Sequence, residues 1–254
     1  TYGGSMASGW MRWIMEQFHF DATVIYASDI DKADLKSKYD IILFVEGAMP
    51  PLPNGTANPR TSTVGPKPEE TPEEYKKTIG NISTAKSIPA IKAFLEAGGK
   101  VLTIGSSTSL AYHLDIPVRN ALTEMVNGKE RNLPGEKYYI PGSVLKVKVD
   151  NNNQAAWGMD SYADVYFEAS PVFTIAPDAQ SKGNVKPIAW FDTDKSLRSG
   201  WAWGQAYLRD GITAFEAKVG KGTLYAFGPE ITFRAQTHGT FKLLFNQLYF
   251  GADK

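Results

Sequence analysis

The chain has 254 residues, with 27 Lys+Arg against 27 Asp+Glu; its formal charge is zero and the basic excess of a duplex-binding surface is absent. Hydrophobic residues make up 43%, enough for the core of one large α/β domain or two small ones, and no apolar run reaches the length of a membrane span. With no cysteine, disulfides, thiolate metal sites and a cysteine nucleophile are excluded, although the compartment is not thereby fixed.

Thr1–Gly4 leads almost at once into an amphipathic helix over Ser8–Phe18, which Ser5 or Ser8 can cap and whose Trp10, Trp13, Ile14 and Phe18 recur at helical spacing to face a sheet. A glycine turn before a helix normally follows a strand in a βα unit. The expectation is therefore a fragment of a longer chain, with its first strand upstream of Thr1. Thr23–Tyr26 reads as a strand, Leu35–Tyr39 as a helical turn, and Asp40–Val45 as a buried strand ending at Glu46-Gly47. Pro50–Pro72 is a proline-dense surface excursion, with a short helix expected at Glu73–Ile79. Pro89–Ala97 reads as an amphipathic helix closed by Gly98-Gly99.

Lys100–Leu114, KVLTIGSSTSLAYHL, organises the rest. Val101–Ile104 is a buried parallel strand by composition, Gly105 breaks it, and a helix resumes at Leu110 after four small polar residues. Ligands and nucleophiles of open α/β sheets sit at such corners. After Pro117 the pattern turns antiparallel. Strands are expected within Lys137–Val149 and at Val165–Phe167, Val172–Ile175 and Pro187–Phe191. A hairpin joins Thr213–Val219 to Thr223–Phe227, and a last helix covers Thr240–Phe250. No linker or repeat is visible, which favours one domain: a parallel core with β insertions.

Ser107 stands two residues after Gly105, loosely as in a nucleophile elbow, but Ser109 occupies the second glycine position of G-x-S-x-G. Capping of the following helix by Ser106, Ser107 and Thr108 is the commoner role for such residues. A serine nucleophile needs a base, and the histidines are His19, His113 and His238. His238 precedes the last helix, and Glu46 and Glu230 each follow a strand, so a Ser107–His238–Glu230 constellation is possible. The plainer alternative has His238 at the helix start and Glu230 paired with Arg234. The histidine and aspartate spacings match neither a zinc motif nor a calcium loop. Trp201 and Trp203 either fill the core or, if exposed, form a platform for carbohydrate or a partner.

Several stretches together resemble one family: Tyr2-Gly3-Gly4-Ser5-Met6 with Ser8-Gly9-Trp10, then Gly105-Ser106-Ser107, then Leu197-Arg198-Ser199-Gly200-Trp201. Gly228-Pro229-Glu230 through Arg234 to His238-Gly239-Thr240-Phe241-Lys242 completes the set. They look like the C-terminal region of large secreted bacterial zinc carboxypeptidase-like proteins, where a metallopeptidase domain is followed by a glutamine-amidotransferase-like α/β domain. The resemblance implies a flavodoxin-like, class I glutamine-amidotransferase-like parallel sheet with helices on both faces and antiparallel β insertions. Class I amidotransferases carry cysteine at the elbow and a histidine-proline-glutamate ending; this chain has no cysteine and matches the elbow with Ser107, while Gly228 replaces that histidine. The implied role is a non-catalytic accessory domain of a secreted or periplasmic protein, partnered by the peptidase domain and by a peptide or glycan. No cofactor is expected in the fragment, zinc belonging to the parent peptidase domain. Glu46, Gly105, Ser106, Ser107 and Arg234 are expected to line its pocket. The alternatives are a serine-type hydrolase on Ser107, His238 and Glu230, or a carbohydrate-binding module on Trp201 and Trp203.

Overall fold

The computed structural model describes residues 4–32, 34–52 and 66–251. Thr1–Gly3 and most of the Pro50–Pro72 excursion therefore lie outside the described residues. Helix α1 (Met6–Gln17) starts at Ser5, whose hydroxyl accepts the Ser8 N–H at 3.3 Å. Its buried stripe is Met11, Ile14 and Met15, one step round from the expected face. Trp10, Trp13 and Phe18 instead stay 37, 44 and 45% exposed, the two tryptophans packing edge-to-face on each other. Thr23–Tyr26 is no strand: it has no ladder partner among the described residues, and the short helix α2 (Ala27–Ile30) begins directly after it.

Strand β1 (Ile41–Phe44), helix α3 (Ser87–Glu96), strand β2 (Lys100–Ile104) and helix α4 (Leu110–His113) follow as the sequence predicts, with 3-10 turns at Pro68–Glu70 and Glu73–Thr78 between them. Three strands then appear that hydrophobic patterning does not predict: β3 (Val118–Asn120), β4 (Thr123–Val126) and β5 (Lys129–Asn132). β4 and β5 form a separate hairpin about Asn127-Gly128, both left-handed, which is the backbone a two-residue primed turn requires. Next come β6 (Ser143–Val149), β7 (Tyr162–Phe167), β8 (Phe173–Ile175), α5 (Pro177–Ser181), β9 (Val185–Trp190) and β10 (Leu197–Ser199). The expected hairpin β11 (Ile212–Val219) and β12 (Gly222–Phe227), then α6 (Phe241–Gly251), complete the order.

The main sheet runs β1-β2-β12-β11-β9-β6-β10, with β7 beside β6 and the β3–β8 pair beside β11. Its parallel part is narrower than expected: β1, β2 and β12 run parallel, and the other described pairings are antiparallel. The hairpin explains the switch, because the tight β11–β12 turn returns β12 parallel to β2 and leaves β11 opposed to it. Strand alternation divides the core. Leu102, Ile104, Tyr225 and Phe227 face α1 and α6, whereas Val101, Leu224 and Ala226 face α3 and α4. The result is an α/β sandwich with helices on both faces of a mixed sheet.

Candidate functional site

The carboxyl ends of β1, β2 and β12 converge, and the loops leaving them carry Glu46, Gly105 and Glu230. Gly105 is the first residue past β2 and is left-handed, with φ +61°. The projecting position of the corner is thus Gly105, not Ser107. A Cβ on Gly105 would lie 1.9 Å from Glu46 Oε2 and 2.8 Å from Glu230 Oε1. Two carboxyl groups therefore fill the space that a projecting nucleophile would need.

Ser106 and Ser107 do not cap: no side-chain cap bond is made at this turn or at α4. They fasten the β2 turn to the β1 turn. The Ser106 N–H donates to Glu46 Oε2 at 2.5 Å, and Ser106 Oγ accepts the Gly47 N–H at 3.0 Å. Ser107 Oγ donates to the Val45 carbonyl at 2.5 Å and accepts the Ala48 N–H at 2.9 Å. Ser107 has no exposed surface, and its hydroxyl is used both as donor and as acceptor. Thr108 turns back to the Gly105 carbonyl at 2.7 Å.

Glu230 is the electrostatic centre. Burial first, then the charges of Glu46 and Glu168, lift its carboxyl to about 7. Its Oε1 is buried with no hydrogen-bond partner among the described residues. The neutral form of the Glu230 carboxyl is thereby favoured well above the ordinary glutamate range. Glu168, just past β7, adds a third carboxylate and accepts from the Tyr166 hydroxyl at 3.2 Å. Burial and Glu168 push that phenol above its ordinary value. Tyr166 stacks on Phe233 at 3.8 Å, and the Arg234 guanidinium lies 5.1 Å over the other ring. Ala169, Arg234 and Ala235 are left-handed without being glycine, a concentration of backbone strain beside the carboxyls.

The structure thus brings together Glu46, Gly105, Ser106 and Glu230, and sets Arg234 on the nearby Tyr166–Phe233 stack. His238 stands apart from Ser107's hydrogen bonds: its Nε2 contacts the Ala235 carbonyl at 3.1 Å, and its ring stacks on Phe241. It borders a cleft of about 760 Å³ with Tyr166 and Phe233. Ser106 borders another, of about 800 Å³, with Tyr112, Arg119 and Arg131. Of the five residues expected to line a pocket, Ser106 lines one of these two clefts and the other four line neither. Trp201 and Trp203 are not core: they are 55 and 49% exposed. Tyr139 meets Trp201 edge-to-face at 5.7 Å, and the Trp203 indole N–H donates to the Glu136 carbonyl at 2.7 Å. Sequence reasoning missed Glu168, Tyr166 and Phe233. Glu168 carries the signal that picked out Glu46 and Glu230, a glutamate just past a strand.

Among the described residues no group of three His, Cys, Asp or Glu side chains is arranged to hold a metal ion, and no helix is long and apolar enough to cross a membrane. No family model matches the sequence, and no curated protein matches it. Solved structures do. A ThuA-like protein from Bacteroides uniformis superposes with a TM-score of 0.50 at 12% identity, over 100% of this chain and 89% of its own. A candidate GMP synthase component from Thermoplasma acidophilum does so with a TM-score of 0.51 at 13% identity, over 98% and 90%. At such identities the likeness is one of fold: the chain has the α/β fold of ThuA-like and glutamine-amidotransferase-like proteins.

Proposed function

We propose that this chain is a non-catalytic accessory and binding domain of a secreted zinc carboxypeptidase-like protein. The observation that carries the non-catalytic part is the corner after β2, where Gly105 occupies the projecting position and two carboxyls fill the space above it. A serine-type hydrolase needs an exposed nucleophile within reach of a base. Ser107 is buried and bonded to Val45 and Ala48, while His238 is bonded at Ala235. The parent protein is supported by the sequence resemblance alone. Its peptidase domain, with the zinc held there, is the first partner of this reading; the exposed Tyr139–Trp201–Trp203 surface suits such a partner, or a peptide or glycan.

The test is turnover by the purified chain on amide, ester and glutamine substrates, with Ser107→Ala alongside. The expected outcome is no turnover by either protein. Loss of Ser107's bonds to Val45 and Ala48 should instead cost about 1–3 kcal/mol in urea unfolding. Turnover abolished by Ser107→Ala would overturn the reading. Sequencing upstream of Thr1 checks the parent, for which a metallopeptidase domain is expected.

A further inference from the structure

β7 is an edge strand with its edge left open. It runs six residues, Tyr162–Phe167, and among the described residues pairs with β6 alone, in a register without a slip. Edge strands are ordinarily blunted by proline, bulges or several charges. β7 has no proline and no bulge, and Asp164 is its single charge. The ladder shows which backbone groups are left over. The Val149 N–H donates to the Ser161 carbonyl at 2.9 Å, so the bonded pairs of this antiparallel ladder continue as Val147–Ala163 and Leu145–Val165. Lys146, opposite Asp164, donates its N–H the other way, to the Ser196 carbonyl at 2.8 Å. The N–H and C=O groups of Tyr162, Asp164 and Tyr166 therefore point away from β6, and they have no partner among the described residues.

The cleft of about 760 Å³ runs along this edge. All of residues 162–166 line it, although alternate side chains of a strand point to opposite faces; a hollow over one face would touch only every second residue. Its other walls come from residues 158–160 and from the stretch 233–242. The two tyrosines are held in place: the Tyr162 hydroxyl donates to Asp192 at 2.8 Å, and Tyr166 is fixed by Glu168 and by its stack on Phe233. The charge on offer is acidic. The Lys242 ammonium is taken up by the Gly158 carbonyl, whereas Asp160 has no ion pair among the described residues. Asp164 meets Arg198 only in an exposed pair, which is worth little.

We propose that this cleft binds an extended peptide segment as an added strand on β7, with a basic side chain opposite Asp164 and β-branched or aromatic side chains opposite Tyr162 and Tyr166. Donors and acceptors repeating every second residue, about 7 Å apart, are matched by another extended backbone. The backbone bonds supply affinity, and the facing side chains supply selectivity. A second copy of this chain is the poorer occupant, because two fully overlapped β7 edges set Asp164 against Asp164. Binding there requires neither a peptidase parent nor an inactive corner.

The test is NMR titration of the isotope-labelled 254-residue chain with two capped peptides, TVTKTVT and TVTETVT. The lysine peptide should shift the amides of residues 162–166 and, at saturation, slow exchange of the Tyr162 and Asp164 amides about 10-fold or more. Ala163 and Val165, already bonded to β6, should keep their rates. The glutamate peptide should bind about 5-fold more weakly, and Asp164→Lys should reverse that order. N-methylation of alternate peptide amides should abolish binding, while N-methylation of the intervening ones should not, whichever way the added strand runs. A Cβ on Gly239, in the cleft wall, meets nothing within 4 Å, so Gly239→Trp should fill the cleft and abolish binding at an unchanged melting temperature. No amide shift at about 1 mM lysine peptide overturns the proposal. So does an N-methyl scan without alternation, binding untouched by Gly239→Trp, or a dimer of the free chain in which the Tyr162 and Asp164 amides are already slow.

Discussion

Gly105 is the residue on which the corner turns. Its left-handed backbone and the carboxyl oxygen 1.9 Å from any added Cβ make Gly105→Ala doubly unfavourable. An expected loss of at least about 2 kcal/mol should appear as a lower urea midpoint with an unchanged slope. Glu230 makes the corner sensitive to pH. Its folded-state value is raised, so its contribution to stability is fully present below the ordinary glutamate range and is lost as pH rises through about 7. A shift from 4.5 to about 7 corresponds to roughly 3 kcal/mol. Glu230→Gln keeps the neutral shape. Its melting temperature relative to the parent should climb between pH 4.5 and 7.5, ending above the parent at pH 8; a constant difference between the two proteins would refute this. At this scale the sequence was partly legible. Glutamates just past strands and a glycine after β2 can be read in one dimension, but the use of Ser107 depends on Val45 and Ala48, residues sixty positions away that only folding brings to its hydroxyl.

Among the elements, α6 is held by more than its apolar stripe. The buried Gln247 side chain donates to the Ala155 carbonyl at 2.9 Å and the Leu243 carbonyl at 3.2 Å, and Asn246 donates to the Ala155 and Trp157 carbonyls at 3.2 and 3.0 Å. Gln247→Leu leaves buried carbonyls less well satisfied, so thermal unfolding should show a loss of about 1–3 kcal/mol. The α3–β2–α4 run and the β11–β12 hairpin were legible because their apolar spacing matches one period and one partner. The β4–β5 hairpin was hidden by its charged strands, although Asn127-Gly128 marks its turn. Helix α1 was found and its face misread: large tryptophans dominate a hydrophobic count, but the inward stripe is set by Met11, Ile14 and Met15.

Across the whole molecule, β2 and β12 contribute alternate side chains to both layers, so neither layer can lose its packing without disturbing the other. One cooperative transition is expected, with far-UV circular dichroism and tryptophan fluorescence coinciding through urea unfolding. The six tryptophans report on several places, among them α1, β9 and the exposed Trp201–Trp203 surface, so a separable region would split the two curves.

By itself the sequence determined that the chain folds as α/β, with a strand–turn–helix corner, a closing hairpin and no thiol at the elbow, because hydrophobic period, glycine placement and composition are local properties. Tertiary structure alone decided that the corner presents a pair of carboxyl groups rather than a serine, that Trp201 and Trp203 face solvent, and that parallel pairing stops at β12. Each of those outcomes depends on which distant backbone groups and charges meet. That is a matter of desolvation and hydrogen-bond partnership, and it is settled only when the strands lie side by side.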